Sequence, residues 1–447
     1  MTSDNSSAAD HGLLSPYWAG TPVAEATGDP AVLRAILDAE VALAAAQARL
    51  GLVPADVAQA IRSSAAELTP DAPRIAAASR SGGNPIIPLL AELRAAVGQD
   101  AADFVHLGAT SQDILDSALM LVAQRSIHSM TDDLDTVVTT LAALADDHRS
   151  TAMAGRTLTQ HSVPTTFGLK AVGWLVGMAD ARSFLKAVSS ALPAQLGGAA
   201  GTLASFTQLV PGRELELVDA FATQLGLQSP PLPWHTMRTP MTRLADALGG
   251  VCAAIGKIGA DVSLLSRTEI GEVSEASGGG SSAMPQKQNP VLSVLIQAAS
   301  RQAPGIAAEL HHSAIAVDER PDGAWHVEWQ TLRSLLRLTG GAVSLAAELL
   351  PGLHVDGDRM RTNLSITGPL IVSERIMLAV GPALGKDTVR RLLSEAADNP
   401  PGLRDSLRNE LPDWSDTALD ELLDPLNYLG LSDELIDRAL AHVKAFG

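Results

Sequence analysis

Gly278-Gly279-Gly280-Ser281-Ser282-Ala283-Met284-Pro285-Gln286-Lys287-Gln288-Asn289-Pro290 interrupts a chain that otherwise reads as long apolar helical patterns. Three consecutive glycines have almost no backbone preference and oppose both helix and strand. Two hydroxyls, a lysine and an amide follow, and Pro285 and Pro290 stiffen the far end. Two readings of these residues compete. One is a flexible linker between domains. The other is an active-site lid, with a serine as the proton-transfer group and Lys287 and Asn289 gripping an anion, because polar loops held between rigid elements commonly carry chemistry.

Working outward, the composition favours helix. Of 447 residues, 46% are hydrophobic and only 3% aromatic, so alanine, leucine and valine must build the core. Alanine and leucine favour helix, and small side chains allow close helix–helix packing. The single cysteine, Cys252, sits in an apolar run, which makes it core filling and fits a reducing compartment. Against 32 lysines and arginines stand 50 acidic residues, a formal net charge of −18. That balance argues against nucleic acid or an anionic membrane as partner. A small anionic substrate would have to be captured by local cations. The N-terminal residues lack the charge and apolar core of a signal peptide, and no uninterrupted apolar run has the length of a membrane span. A soluble, cytoplasmic protein is expected.

Residues 1–14 read as a polar tail. The first helix is bracketed by Asp29 as N-cap, Pro30 at the first helical position and Gly51 beyond the end, with Leu33, Ile36, Leu37, Val41 and Ala44 on one face. A shorter helix spans 55–68. From Ala109 to Ala154 there is neither glycine nor proline, and with Ser111 as N-cap the pairs Ile114/Leu115, Ala118/Leu119 and Leu121/Val122 predict one long buried helix. Further long helices are predicted over 165–192, 241–270, 291–303 and 325–350. Gly168, Gly173 and Gly177 should let a neighbouring helix come close. Strand-like alternation is scarce. The expected fold is all-α, a bundle of unusually long helices over residues 107–350, preceded by an N-terminal helical domain over 1–106 and followed by a small helical domain over 351–447.

Besides the glycine-rich loop, other polar clusters interrupt the helices. Ser81–Pro88, with Asn84, is either an ordinary turn or a loop facing a ligand. His106–Asp113, with Thr110 and Ser111, is a helix cap that could also receive a carboxylate. Gly155–Pro164 packs Arg156, His161, three hydroxyls and an amide at what reads as a helix entry. Asp318–Trp329 places Arg320 and His326 beside two tryptophans. No His-x-x-x-His pair or cysteine cluster predicts a metal site, no dinucleotide or phosphate-loop fingerprint follows a strand, and no nucleophile elbow is present.

The opening stretch closely resembles the signature loop of the fumarase/aspartase superfamily, Gly-Ser-Ser-x-Met-Pro-x-Lys-x-Asn-Pro, with every fixed position filled. The polar clusters fall in that superfamily's order along nearly the whole chain. Within it, Gly83-Asn84-Pro85-Ile86-Ile87-Pro88-Leu89, Gly155-Arg156-Thr157-Leu158 with Pro164-Thr165-Thr166-Phe167-Gly168, and Gly323-Ala324-Trp325-His326-Val327-Glu328-Trp329 are similar to the subgroup of 3-carboxy-cis,cis-muconate cycloisomerases of aromatic degradation. The resemblance implies a three-domain fold, a homotetramer with active sites shared between subunits, a small tricarboxylate substrate and no cofactor. It implies Ser281 as the proton-transfer residue with Ser282 beside it, Lys287 and Asn289 on carboxylates, and Asn84, Thr110, Ser111, Arg156, Arg320 and His326 as further substrate contacts. One departure stands out: Leu158 occupies the place of the histidine that many of these lyases use as a second acid or base. Closing a lactone needs no external acid for a leaving group, so the loss suits cycloisomerisation, and His161, three residues on, is expected to orient substrate instead. An adenylosuccinate-type lyase and a silent structural homologue are the alternatives.

Overall fold

Apolar residues recurring every three to four positions form helices throughout the computed structural model, which describes residues 11–446 apart from 277, 278, 281–283 and 285. The fold is all-α, with only short strands between the helices. Contacts divide the chain into two compact units, one of Met1–Leu134, Ala181–Gly256 and Leu295–Leu345, the other of Asp135–Asp180, Lys257–Val294 and Ala346–Gly447.

In the first unit the Asp29–Arg49 helix buries Leu33, Ile36, Leu37 and Leu43 and packs on the Ser111–Ser129 helix. Its N-cap is Gly28, one residue before the predicted Asp29, and Pro30 stands second rather than first. The Ser111–Ser129 helix is buried on every side from Gln112 to Ala123, and its exposed residues, Arg125 and His128, lie near its end. Its predicted stripe of Ile114, Leu115, Ala118, Leu119, Leu121 and Val122 lies in the core, and so do Gln112, Asp113, Asp116 and Ser117. Buried polar groups must be hydrogen-bonded, and these carry much of the site described below.

The single long helix predicted after Ala109 is two. The break falls at Met130 (φ −102°, ψ 4°), and the next helix, Thr131–Asp147, starts with Asp132 and Asp133 in its first turn. Acidic residues are favoured there by the helix dipole, so they mark a new start that apolar spacing alone does not reveal. Thr110 is the N-cap, with extended φ −117° and ψ 159°, and Ser111 is the first helical residue rather than the cap.

The second unit has a core of Leu364, Ile371, Val372, Ile376, Val380, Val389, Leu392, Leu403, Leu407, Leu419 and Leu422, onto which Ala152 and Ala154 pack. Those alanines belong to β1 (Ala152–Thr157), which pairs antiparallel with β2 (Gln160–Thr166). The 155–164 cluster is therefore a β-hairpin and not the entry of a helix; the helix starts later, at Phe167–Ser190. The short strand β3 (Val273–Glu275) pairs with β6 (Leu353–Val355), and between them β4 (Gly279–Gly280) pairs with β5 (Gln288–Asn289).

Gly168 behaves as predicted: a Cβ there would lie 2.6 Å from Ala145 O and 2.8 Å from Arg149 N, so only glycine allows the approach. At Gly173 and Gly177 a Cβ would meet nothing within 4 Å among the described residues. Two stretches, Thr239–Leu265 and Gly357–Leu384, are long and apolar enough by length and composition to cross a membrane, although charged residues interrupt both, so neither is an uninterrupted apolar run. In the first, Met241, Leu244, Leu248, Val251, Cys252 and Ile255 are fully buried in protein. The second is broken at Gly368 (φ 56°, ψ −149°), followed by Pro369.

Candidate active site

The hairpin holds the first group. At Gly155 the register slips, and a Cβ there would sit 2.6 Å from Val163 O. The loop between Thr157 and Gln160 is two residues long, and both take positive φ, Leu158 at 49° and Thr159 at 73°. This is the geometry two-residue hairpins favour, though normally with asparagine and glycine. Leu158 stands 96% exposed at the tip.

Arg156 and His161 are cross-strand partners. The Arg156 guanidinium is held by Glu272 through two hydrogen bonds, Nη2–Oε1 at 2.6 Å and Nη1–Oε2 at 3.0 Å. Glu272 is fully buried and also accepts from Asn363 Nδ2. The cation foreseen as a carboxylate binder thus already has a bidentate carboxylate from within the chain. His161 Nδ1 lies 2.7 Å from Thr367 Oγ1. Partial burial, aided by the Arg156 charge, lowers the imidazole below its ordinary pKa, so the neutral ring is favoured.

The second group is the signature loop. Lys287 N donates to Met284 O at 2.9 Å and its side chain is exposed. Gln288 and Asn289 pair with Gly280 and Gly279. A cavity of about 280 Å³ opens here, lined among others by Ser266, Thr268, Ser274, Lys287, Asn289 and His354. Glu275 and Asp356 also line it, so among the described residues Lys287 is its one cation beside two carboxylates, and Glu275 is itself engaged by Leu292 N and Ser293. Ser281 and Ser282 lie outside the described residues.

The remaining predicted residues fall in the other unit. Asn84 is buried and committed locally: its Oδ1 accepts from Ile86 N at 3.1 Å and its Nδ2 donates to Gly82 O at 3.2 Å. Its polar atoms therefore shape the turn ahead of the Ile86–Val97 helix. His326 Nε2 contacts Gly83 O at 2.9 Å, tying the same turn to the Gly323–Leu349 helix. A cavity of about 240 Å³ lies beside it, lined by Pro85, Leu115, His326 and Trp329 among others. Arg320 Nη2 donates to the Thr110 hydroxyl, so the 106–113 and 318–329 clusters meet.

Buried carboxylates organise these groups, and reading the polar clusters one at a time passes over them. Asp113 accepts from Thr110 N, Gly197 N and Gly198 N at 2.8–3.0 Å and faces His235 Nε2 at 2.8 Å. Fully buried Arg238 is shared by Asp116 and Glu328 and lies over the Trp234 ring, 4.6 Å from its centroid. Trp325 Nε1 donates to Asp116 at 2.9 Å. One guanidinium between two carboxylates leaves an uncompensated negative charge, and burial pushes Glu328 up to about 7 despite Arg238. The signal was present in the sequence: Asp113 and Asp116 interrupt an apolar helical stripe, where an unpaired charge would be too costly. Among the described residues no group of three or more His, Cys, Asp or Glu could hold a metal ion.

Comparison with known proteins agrees with this architecture. Residues 21–305 match a family model described as Lyase. The chain is 49% identical over 449 residues to nitrosuccinate lyase of Streptomyces davaonensis, covering 96% of this chain and 94% of that one. It is 39% identical over 449 residues to 3-carboxy-cis,cis-muconate cycloisomerase of Pseudomonas aeruginosa, covering 97% of each. The crystal structure of 3-carboxy-cis,cis-muconate lactonizing enzyme from Pseudomonas putida superposes with a TM-score of 0.90 at 34% identity, over 97% of this chain and 99% of that one. The chain belongs to the fumarase/aspartase family of lyases.

Proposed function

We propose that this enzyme eliminates nitrite from nitrosuccinate to give fumarate. The observation that carries the reading is the 49% identity to a nitrosuccinate lyase along 96% of the chain, against 39% to a muconate cycloisomerase. The chemistry is consistent with the residues. A base removes a proton from the methylene carbon next to one carboxylate, and negative charge builds on that carboxylate. The carbon–nitrogen bond then breaks, its electron pair leaves with nitrogen as nitrite, and the carbon–carbon double bond forms.

Nitrite is the anion of an acid about as strong as a carboxylic acid, so it departs without being protonated. An amine leaving group would require an acid. That difference gives the exposed Leu158, in place of the expected histidine, a chemical rationale. By the family pattern Ser281 is the proton-transfer residue, and Lys287 and Asn289 stabilise the doubly charged carboxylate, an electrostatic effect that usually dominates the acceleration of such a step. Ser282, Thr110, Ser111, Arg320 and His326 are proposed as further substrate contacts and His161 to orient substrate as a neutral ring, whereas Asn84, both of whose polar atoms hold its own turn, is left a structural part. The regiochemistry is demanding, because the carbon bearing the nitro group is the more acidic one. Holding the substrate so that the base reaches only its neighbour is therefore a main task of the anion-binding residues.

The second reading is closure of 3-carboxy-cis,cis-muconate to its lactone, favoured by the sequence features quoted above and by the close superposition on a lactonizing enzyme. A nitro group is planar with two terminal oxygens, much like a carboxylate. A site with places for three carboxylates therefore has places for two and a nitro group, and related chains can serve both reactions. We also propose a homotetramer with shared active sites, supported by the open Gly173–Gly177 face and by Phe184, 47% exposed on the same helix. The deciding experiment supplies each compound to the purified enzyme, following nitrite and fumarate in one case and loss of diene absorbance in the other. Turnover of the muconate with no nitrite from nitrosuccinate would overturn the first reading.

A further inference from the structure

The first turn of the Val291–Ser313 helix is capped from far away in the chain. Pro290, just before it, has no side-chain group to satisfy the free amides that every helix start exposes. Glu275, the last residue of β3, does so instead. Its Oε2 accepts from Leu292 N at 3.0 Å, and its Oε1 accepts from Ser293 N at 2.9 Å and from the Ser293 hydroxyl at 2.6 Å. Glu275 as a whole is only 7% exposed, with its charge at the positive end of the helix dipole.

This bond closes the base of the signature loop. The chain leaves at Glu275 and returns at Leu292, 17 residues on. Lys287, Gln288 and Asn289 lead straight into the capped turn, and the β4–β5 ladder that also steadies them has only two residue pairs. So short a ladder is not stable by itself. We propose that Glu275 is a positioning residue of the active site: by fixing the turn after Asn289 it sets where Lys287 and Asn289 meet the substrate's anionic groups. This rests on the anion-binding role proposed above for those two residues.

A helix cap that only stabilised the fold would behave differently from a positioning residue. Ser415 provides the comparison, since its hydroxyl caps the Asp416–Leu423 helix by accepting from Ala418 N at 3.1 Å. Glu275→Gln keeps the shape but removes the charge and turns an amide NH₂ toward amide donors. In the full-length enzyme it should lower kcat by at least about thirtyfold, because displacements near 1 Å cost on the order of a hundredfold. The backbone amides of residues 286–293 should exchange hydrogen at least about fivefold faster, as the loss of a cap implies. Ser293→Ala, a milder change that guards against misfolding of the first variant, should show the same pattern at about threefold. Ser415→Ala should lower the melting temperature while changing kcat by less than about twofold. The proposal is overturned if folded Glu275→Gln keeps wild-type kcat and KM, or if exchange over 286–293 is unchanged. Should the wild-type enzyme turn over neither compound, the substrate assignment fails by itself. Exchange over 286–293 then decides for or against Glu275.

Discussion

Asn363 and Arg156 meet on one oxygen: Glu272 Oε1 receives Asn363 Nδ2 at 2.8 Å and Arg156 Nη2 at 2.6 Å. A residue from the C-terminal helices and one from the hairpin are thereby joined through a single buried carboxylate. Glu272→Ala removes it and strands a guanidinium whose side chain is only 16% exposed. Breaking a buried pair from one side costs about 3 kcal/mol. Urea denaturation should show a loss of that size, and the Glu272→Ala/Arg156→Ala double variant should lose less than the sum of the two singles.

The role proposed for Lys287 can be tested apart from stability. Its backbone amide carries its hydrogen bond to Met284 O, whereas its side chain is exposed. Lys287→Ala should leave the melting temperature unchanged and reduce kcat/KM by at least about a hundredfold, the usual loss when a charge-stabilising group is removed. Ser281→Ala should cost at least about a hundredfold as well, the contribution of a general acid or base. Unchanged activity in that variant would refute the proton-transfer role.

The pH profile should carry the mark of His161. Its folded pKa lies below the ordinary 6.5 because of burial and the nearby Arg156 charge. A histidine with a lowered pKa contributes stability that is fully present above the unfolded value of 6.5 and is lost as pH falls through the folded one. If the neutral ring orients substrate, kcat/KM should be flat near pH 7 and decline on the acid side below 6.5. His161→Asn should abolish that decline. An acid limb that persists in the variant belongs to another group.

Glu328 predicts an opposite slope in stability. Its pKa rises from 4.5 to about 7 on folding, chiefly through burial. Such a group stabilises the fold fully below 4.5, and its contribution is lost as pH rises to about 7. The difference in unfolding free energy between the wild-type enzyme and Glu328→Gln should therefore drift against the wild type across that interval. Chemical denaturation at several pH values measures it.

Much of the fold was legible because helix periodicity is strong in an alanine- and leucine-rich chain: the stripe Ile114 to Val122 is buried as read. The break at Met130 escaped because neither glycine nor proline marks it. The 152–166 hairpin escaped because its turn residues, Leu158 and Thr159, are poor formers of left-handed backbone, so the usual Asn-Gly signal is missing. At the site, pattern located the polar clusters but not their partners. Arg156 looks like a free cation until Glu272, 116 residues away, is brought beside it, and Asn84 looks ligand-facing until its turn is seen to use both of its polar atoms.

Cys252 is fully buried in the Thr239–Leu265 helix, its thiol 3.3 Å from Thr339 Oγ1, and burial pushes its pKa up to about 11. Only the thiolate reacts readily, so the sole thiol of the chain is chemically silent in the folded enzyme. The native protein is in effect already a cysteine-free background for labelling. A single cysteine placed at exposed Met284 would take a maleimide fluorophore or spin label alone, reporting on the signature loop during turnover without any prior removal of native thiols.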